Sequence, residues 1–225
     1  MDVWIYFALT LVYLILVIRM TVALTQRKQW LTYASFQLFV AFSLAYDNGI
    51  IALGNIIGEG EPLMVLSSLR FWLHAFATPT LILASYHILR SSGARFANRR
   101  ITSVVAWLIT LGLVIYQIVG FTVSEVQNLK VTEEYGVLRY MAEGHGGPPM
   151  MVIIVGLVLL FVSLIVLFKH KWVWLFVGTA LLFAGQLISL PVETGTLTNV
   201  YELILILSIW RTTTFLKNST DHRRR

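Results

Sequence analysis

The chain has 225 residues, of which 57% are hydrophobic and only 12% are charged. Soluble domains carry about 25% charged residues, so this composition excludes a soluble globular domain, a disordered chain and a collagen or coiled-coil fibre. The sequence contains no cysteine, which excludes disulfides, thiolate metal sites and a cysteine nucleophile. The composition therefore assigns the protein to a lipid bilayer.

Seven apolar stretches are long enough for a membrane helix, which needs about 20 residues to cross a core of about 30 Å. In chain order, and numbered here as spans one to seven, they cover residues 3–24, 31–57, 63–89, 101–121, 150–168, 172–190 and 197–216. No positive region precedes the first stretch, so we interpret it as a retained helix and not as a signal peptide. The sequence predicts an all-α polytopic membrane protein in which residues 1–225 form a single domain of seven transmembrane helices.

Charges between the spans alternate in sign along the chain. Acidic residues dominate one side, and basic residues follow spans one, three, five and seven: Arg27, Lys28, Arg90, Arg95, Arg99, Arg100, Lys169, Lys171, Lys217, Arg223, Arg224 and Arg225. By the positive-inside rule the amino terminus is outside and the carboxyl terminus is cytoplasmic. The net charge of +6 is thus an orientation signal, and it fits a plasma or inner membrane. We expect the basic residues to contact anionic lipid head groups and not nucleic acid.

One connection is long. Residues 122–149 form an external loop, and the segment 128–140 reads as a small β-hairpin that caps the bundle. A loop of this length is often functional, although a solvated connector is the alternative. In the second span, Gly49, Gly54 and Gly58 are expected to allow close helix approach, and Pro79 is expected to kink the third span.

Polar residues inside the spans share a depth in the outer half of the membrane. At 1.5 Å per residue, Asp47 and Arg70 lie about 10 Å below the outer surface, His74 about 16 Å, and Gln186 and Glu202 about 8 Å. Intramembrane ionisable residues usually face the bundle interior. We therefore expect these side chains to meet in one layer.

Arg70 and His74 are four residues apart and share one face of the third span, together with Ser67 and Thr78. A buried guanidinium needs a carboxylate partner. The sequence predicts that Arg70 is bonded to Asp47, to Glu202 or to both. Such an arrangement is either a polar clamp that fixes helix packing, or an outward-facing pocket or proton site built on these residues.

The string from Arg70 to Pro79, with an arginine, aromatic residues and Thr78-Pro79, resembles the third helix of microbial rhodopsins. The resemblance is strongest over residues 30–90 and implies a seven-helix fold with the amino terminus outside. The family's retinal-binding lysine is absent from the seventh span, and Leu73 stands where the family has a carboxylate. These departures argue against a covalent retinal pigment, and we expect no cofactor.

Three functions remain open. The first is a membrane protein whose pocket, between spans two, three, six and seven, binds an amphipathic or lipid-like small molecule non-covalently. The second is a membrane-embedded enzyme that acts on a lipid through Asp47 or Glu202, His74 and Arg70. The third is a structural subunit of a larger membrane complex. The histidines show no metal-binding spacing, so no metal site is expected. The expected ligand-binding residues are Tyr46, Asp47, Asn48, Arg70, Trp72, His74, Gln186, Tyr201 and Glu202.

Overall fold

A computed structural model of the chain describes residues 2–142, 150–187 and 195–224, without the side chains of residues 186, 187 and 220–224. The helices in these ranges are α1 (Asp2–Gln26), α2 (Ser35–Ile57), α3 (Glu61–Ser91), α4 (Arg100–Gln117), α5 (Val123–Gln127), α6 (Met150–His170), α7 (Trp174–Leu187) and α8 (Gly195–Arg224). A 3-10 turn, Arg95–Asn98, precedes α4, and a π-helical turn, Ile118–Thr122, joins α4 to α5. Two strands follow, β1 (Leu129–Glu134) and β2 (Val137–Ala142).

Four helical segments are long and apolar enough to cross a membrane: Asp2–Gln26, Ser35–Ile57, the continuous rod Arg100–Gln127 and Met150–His170. The expectation of a helical membrane protein is therefore confirmed. The other three predicted spans coincide with α3, α7 and α8. Helices α3 and α8, which carry Arg70 and Glu202, are less apolar than these four segments. Helix α7 is shorter, since it covers 14 described residues.

Helix α3 lies at the centre of the bundle, where it contacts α2, α4, α6 and α8. From Ala75 to its carboxyl end, α3 contains many residues that are fully or almost fully buried, among them Ala75, Ala77, Leu83 and Ile88. In contrast, α4 exposes Val104, Leu108, Leu111 and Ile115 on its outer face. Apolar exposure on this scale is what a lipid-facing helix requires and a soluble one avoids. Helix α3 itself runs without a break through Pro79.

Small residues set the spacing of α7 and α8. Gly178 and Gly185 are seven residues apart and so share a face of α7. A Cβ atom at Gly185 would lie 2.3 Å from the Tyr201 ring, and one at Gly178 would lie 2.4 Å from Ser208 Oγ. Because lipid tails are as apolar as the helices, close backbone approach through small residues is a main source of helix association in membranes.

The strands β1 and β2 form an antiparallel hairpin in which Leu129 pairs with Ala142 and Glu134 with Val137. This hairpin is called the cap below. Its turn residues, Tyr135 and Gly136, have φ of 54° and 77°, as the two-residue turns that suit strand twist require. The segment that the sequence identifies as a hairpin thus has this structure, while residues 143–149 of the same loop lie outside the described residues.

The cap is attached to the carboxyl end of α2. Asn55 Nδ2 donates to Gly136 O at 2.6 Å, and Leu138 N donates to Asn55 Oδ1 at 2.9 Å. A Cβ atom at Gly54 would lie 1.8 Å from Leu138 O, so glycine is needed here for a strand and not for a neighbouring helix. Val137 and Tyr140 of the cap are buried against the helices below. The cap is therefore packed onto the bundle end where α2 ends and α3 begins.

Candidate functional site

Helices α2 and α3 bring the expected ion pair together. Arg70 Nε donates to Asp47 Oδ1 at 2.8 Å, and the Arg70 side chain is 9% exposed against 26% for Asp47. Both residues lie on the contacting faces of two adjacent helices. The prediction that Arg70 bonds a carboxylate on the second span is confirmed for Asp47.

The pairing leaves part of the guanidinium unused. Arg70 Nη1 is buried and has no hydrogen-bond partner among the described residues, and neither has the buried Ser67 Oγ one turn above it. A guanidinium carries five N–H donors, so one contact to Asp47 does not satisfy it. Donors left over in a buried site are costly unless a bound group accepts from them.

Glu202 of α8 does not complete the pair. No ion pair forms between Arg70 and Glu202, so their charged atoms are more than 4.0 Å apart. No described residue donates a hydrogen bond to the Glu202 carboxylate. The two groups nevertheless line the same cavity, as does Asp47. Arg70 and Glu202 therefore line one cavity without forming an ion pair, which fits a binding site better than a direct packing clamp.

That cavity has a volume of about 500 Å³. Most of its wall is apolar, from α2, α3, α6 and α8, with a smaller part from α7. Met141 of the cap also lines it, together with residues on either side of the π-helical turn. Its polar lining residues are Ser43, Asp47, Arg70, His74, Thr78, Gln117, Glu125, Asn199 and Glu202. Pockets of 300–1,000 Å³ with apolar walls and a few converging polar groups are the usual form of small-molecule sites.

His74 lies one turn below Arg70 and lines the cavity. Its ring Nδ1 is 3.2 Å from Thr78 Oγ1, a contact between neighbours on one helix face. The ring side chain is otherwise exposed to the open space. Within the ranges that the structure describes, no three of His, Asp and Glu lie close enough together to hold a metal ion.

Several of the expected ligand-binding residues lie away from the cavity. Asn48 is fully buried in α2 and donates through Nδ2 to Leu44 O at 2.8 Å. Tyr46 donates to Leu66 O at 3.1 Å, which ties α2 to α3. The Trp72 ring stacks with the ring of Phe76 on the same helix, and the Tyr201 ring lies against Gly185. The Gln186 side chain lies outside the described residues.

The sequence analysis did not identify the contribution of α6, the fifth span. Met151, Val155 and Gly156 of this helix line the cavity, which the sequence places between spans two, three, six and seven. Apolar lining residues have no signature that separates them from core residues, so only the packing of α6 on α3 and α7 reveals them. The π-helical turn Ile118–Thr122 is also undetectable by hydrophobic period, and π-turns are frequent at functional sites.

No protein-family model matches this chain, and no curated protein matches it in sequence. The functional argument therefore depends on the cavity itself, with its apolar walls, its half-satisfied Arg70–Asp47 pair and its separate Glu202.

Proposed function

We propose that this protein binds an amphipathic or lipid-like small molecule, non-covalently, in the cavity that Asp47, Arg70, His74 and Glu202 line. The observation that carries the proposal is the combination of charged groups and apolar walls in one space of about 500 Å³. The charged groups suit a polar head, and the apolar lining suits a hydrocarbon tail. In this proposal all seven spans cross the membrane, the amino terminus is outside and the cavity opens toward the outer leaflet.

The shape of the lining supports an amphiphile over a water-soluble ligand. Seven of the nine polar lining residues are on α2, α3 and α8, whereas Met151, Val155 and Leu159 on α6 form an apolar strip at helical spacing. Methionine adapts its conformation to irregular ligands. Met141 of the cap and Met150 at the start of α6 are two further methionines in the lining.

An enzyme that acts on a lipid is the second candidate, and the contact between His74 Nδ1 and Thr78 Oγ1 is the observation that favours it. In that case Thr78 is the nucleophile and His74 the base. Asp47 is bonded to Arg70, and among the described residues no hydrogen bond other than that of Thr78 reaches the His74 ring, so the set lacks the third group that a catalytic triad uses. Binding is therefore the better-supported function.

The binding proposal is tested by blocking the cavity. Val152→Trp places a large ring into the lining, whereas Leu157→Trp adds the same ring to the exposed face of the same helix, where Leu157 is 54% exposed. The protein is purified in an uncharged detergent, and small molecules that co-purify are identified by native mass spectrometry. We expect a bound amphiphile in the parent chain and in Leu157→Trp, and its loss in Val152→Trp.

The unfolding temperature of each variant checks that it is folded. An empty parent chain that also fails to bind single-chain amphiphiles would contradict the proposal. Conversion of the bound lipid into a product that is lost in His74→Ala would favour the enzyme.

A further inference from the structure

We infer that the ligand of this cavity has a zwitterionic head group, with its anionic part at Arg70 and its ammonium group at Glu202. This inference rests on the proposed binding function and adds the chemical class of the ligand. It follows from which lining charges are balanced inside the protein and which are not.

The first step is the charge balance of the lining. Asp47 is paired with Arg70, and Glu125 takes part in an interaction of its own. Glu202 is the carboxylate that no described residue neutralises. A charged carboxylate without a counter-charge in a membrane interior carries a free-energy cost. A cationic group of the ligand is the natural counter-charge.

The second step concerns Arg70. Its Nε is used by Asp47, but Nη1 is buried without a partner in the part of the chain that the structure describes. The side chain as a whole is more than nine-tenths buried. An anionic oxygen of the ligand would accept from this guanidinium in a charge-assisted hydrogen bond.

The third step compares ligands that carry a single charge. An anionic amphiphile, such as a fatty acid, would satisfy Arg70 but would meet the charges of Asp47 and Glu202 in a poorly screened space. A cationic amphiphile would satisfy Glu202 but leave Arg70 Nη1 without an acceptor. A head group that carries both charges satisfies both residues at once. Arg70 and Glu202 line one cavity of about 500 Å³ and form no ion pair with each other, so such a head group can lie against both.

The experiment compares probes that share one 14-carbon chain and differ in their head. They are myristoyl lysophosphatidylethanolamine (zwitterionic), myristate (anionic), tetradecylamine (cationic) and monomyristoyl glycerol (uncharged). Free phosphoethanolamine, which has the head without the tail, separates a lipid ligand from a small soluble zwitterion. Binding to the full chain in dodecyl maltoside is measured by isothermal titration calorimetry.

We expect the lysophosphatidylethanolamine probe to bind most tightly. Glu202→Gln should weaken its binding by about 10-fold or more, because a charge-assisted bond is lost, and should bring the affinities for this probe and myristate closer together. Glu202→Asp keeps the charge and should keep the zwitterion preference. Glu61→Gln removes an exposed carboxylate at the start of α3 and is the matched control, since Glu61 lies outside the lining.

Each outcome has a distinct meaning. Tightest binding of myristate or tetradecylamine, or a zwitterion preference that Glu202→Gln leaves unchanged, would overturn the inference while the binding function stands. Binding of free phosphoethanolamine as tightly as the tailed probe would replace the lipid by a small zwitterion. Failure of every probe, together with an empty purified protein, would remove the binding function as well. If Glu202→Gln does not fold, the probe ranking on the parent chain and on Glu202→Asp still decides.

Discussion

The pair between Arg70 and Asp47 shows how one buried charge organises its surroundings. Moving a guanidinium out of water costs several kcal/mol, and the partner carboxylate offsets this cost only while it is present. The bond of 2.8 Å between Nε and Oδ1 joins α2 to α3. Because this pair also lines the cavity, its contribution to stability and its contribution to binding need to be separated experimentally.

Asp47→Ala should lower the free energy of unfolding by about 3–5 kcal/mol, because it leaves Arg70 buried without a counter-charge. The double variant Asp47→Leu/Arg70→Met removes both charges and should unfold within about 1 kcal/mol of the parent chain, yet bind no charged amphiphile. Unfolding in detergent, followed by circular dichroism, measures both. Tyr13→Phe is the control, because the Tyr13 hydroxyl is buried and bonded to no described residue, so its removal should be nearly neutral. An Asp47→Ala chain as stable as the parent would show that the pair adds nothing to the fold.

At the scale of elements, the cap and α2 act as one unit. Asn55 satisfies two backbone groups of the hairpin, and Gly54 lets the Leu138 carbonyl reach the helix surface. An isolated two-stranded hairpin is at best marginally stable in water. The order of the cap therefore comes from its docking on the helices, where Val137 and Tyr140 are buried.

Gly54→Ala should undock the cap, because the new methyl group would occupy the position of the Leu138 carbonyl. Overpacking of this kind costs about 1–3 kcal/mol. We expect faster amide hydrogen exchange across β2 and, since Met141 lines the cavity, weaker ligand binding. Gly49→Ala is the matched control on the same helix. Its methyl group would meet Thr10 Cγ2 at 3.5 Å, an ordinary contact. Equal exchange rates in the two variants would show that the cap does not depend on Gly54.

At the scale of the whole molecule, the distribution of charge bears on how the bundle is oriented in the membrane. Basic residues cluster at the end that contains the turn Arg95–Asn98, and the cap lies at the end where α2 stops and α3 starts. The positive-inside rule predicts that the cap lies outside the cell or compartment.

Cysteine labelling tests this orientation, and the natural chain is already the required background because it contains no cysteine. Glu133→Cys lies on the exposed side of the cap, and Arg95→Cys lies at the opposite end. A membrane-impermeant maleimide should label Glu133→Cys in intact cells and Arg95→Cys only after permeabilisation. The reverse pattern would turn the molecule over and place the cavity on the cytoplasmic side.

Much of this protein was readable from composition and periodicity alone. The high apolar content and low charge determine a helical membrane protein, since only helices or closed barrels satisfy every backbone group in lipid. The Arg70–Asp47 bond was also predictable, because a guanidinium at that depth has few carboxylates to choose from. The turn chemistry of the hairpin was visible in its sequence as well.

The tertiary structure alone decided what those residues surround. Sequence reasoning predicted that Asn48, Tyr46, Trp72 and Tyr201 are at the site, but none of the four lines the cavity. It also missed α6, because an apolar residue that lines a cavity has the same sequence pattern as one that fills a core. Whether Arg70 and Glu202 meet or stay apart depends on where α8 lies relative to α3, and that position follows from the packing of all the helices together and not from the spacing within any one of them.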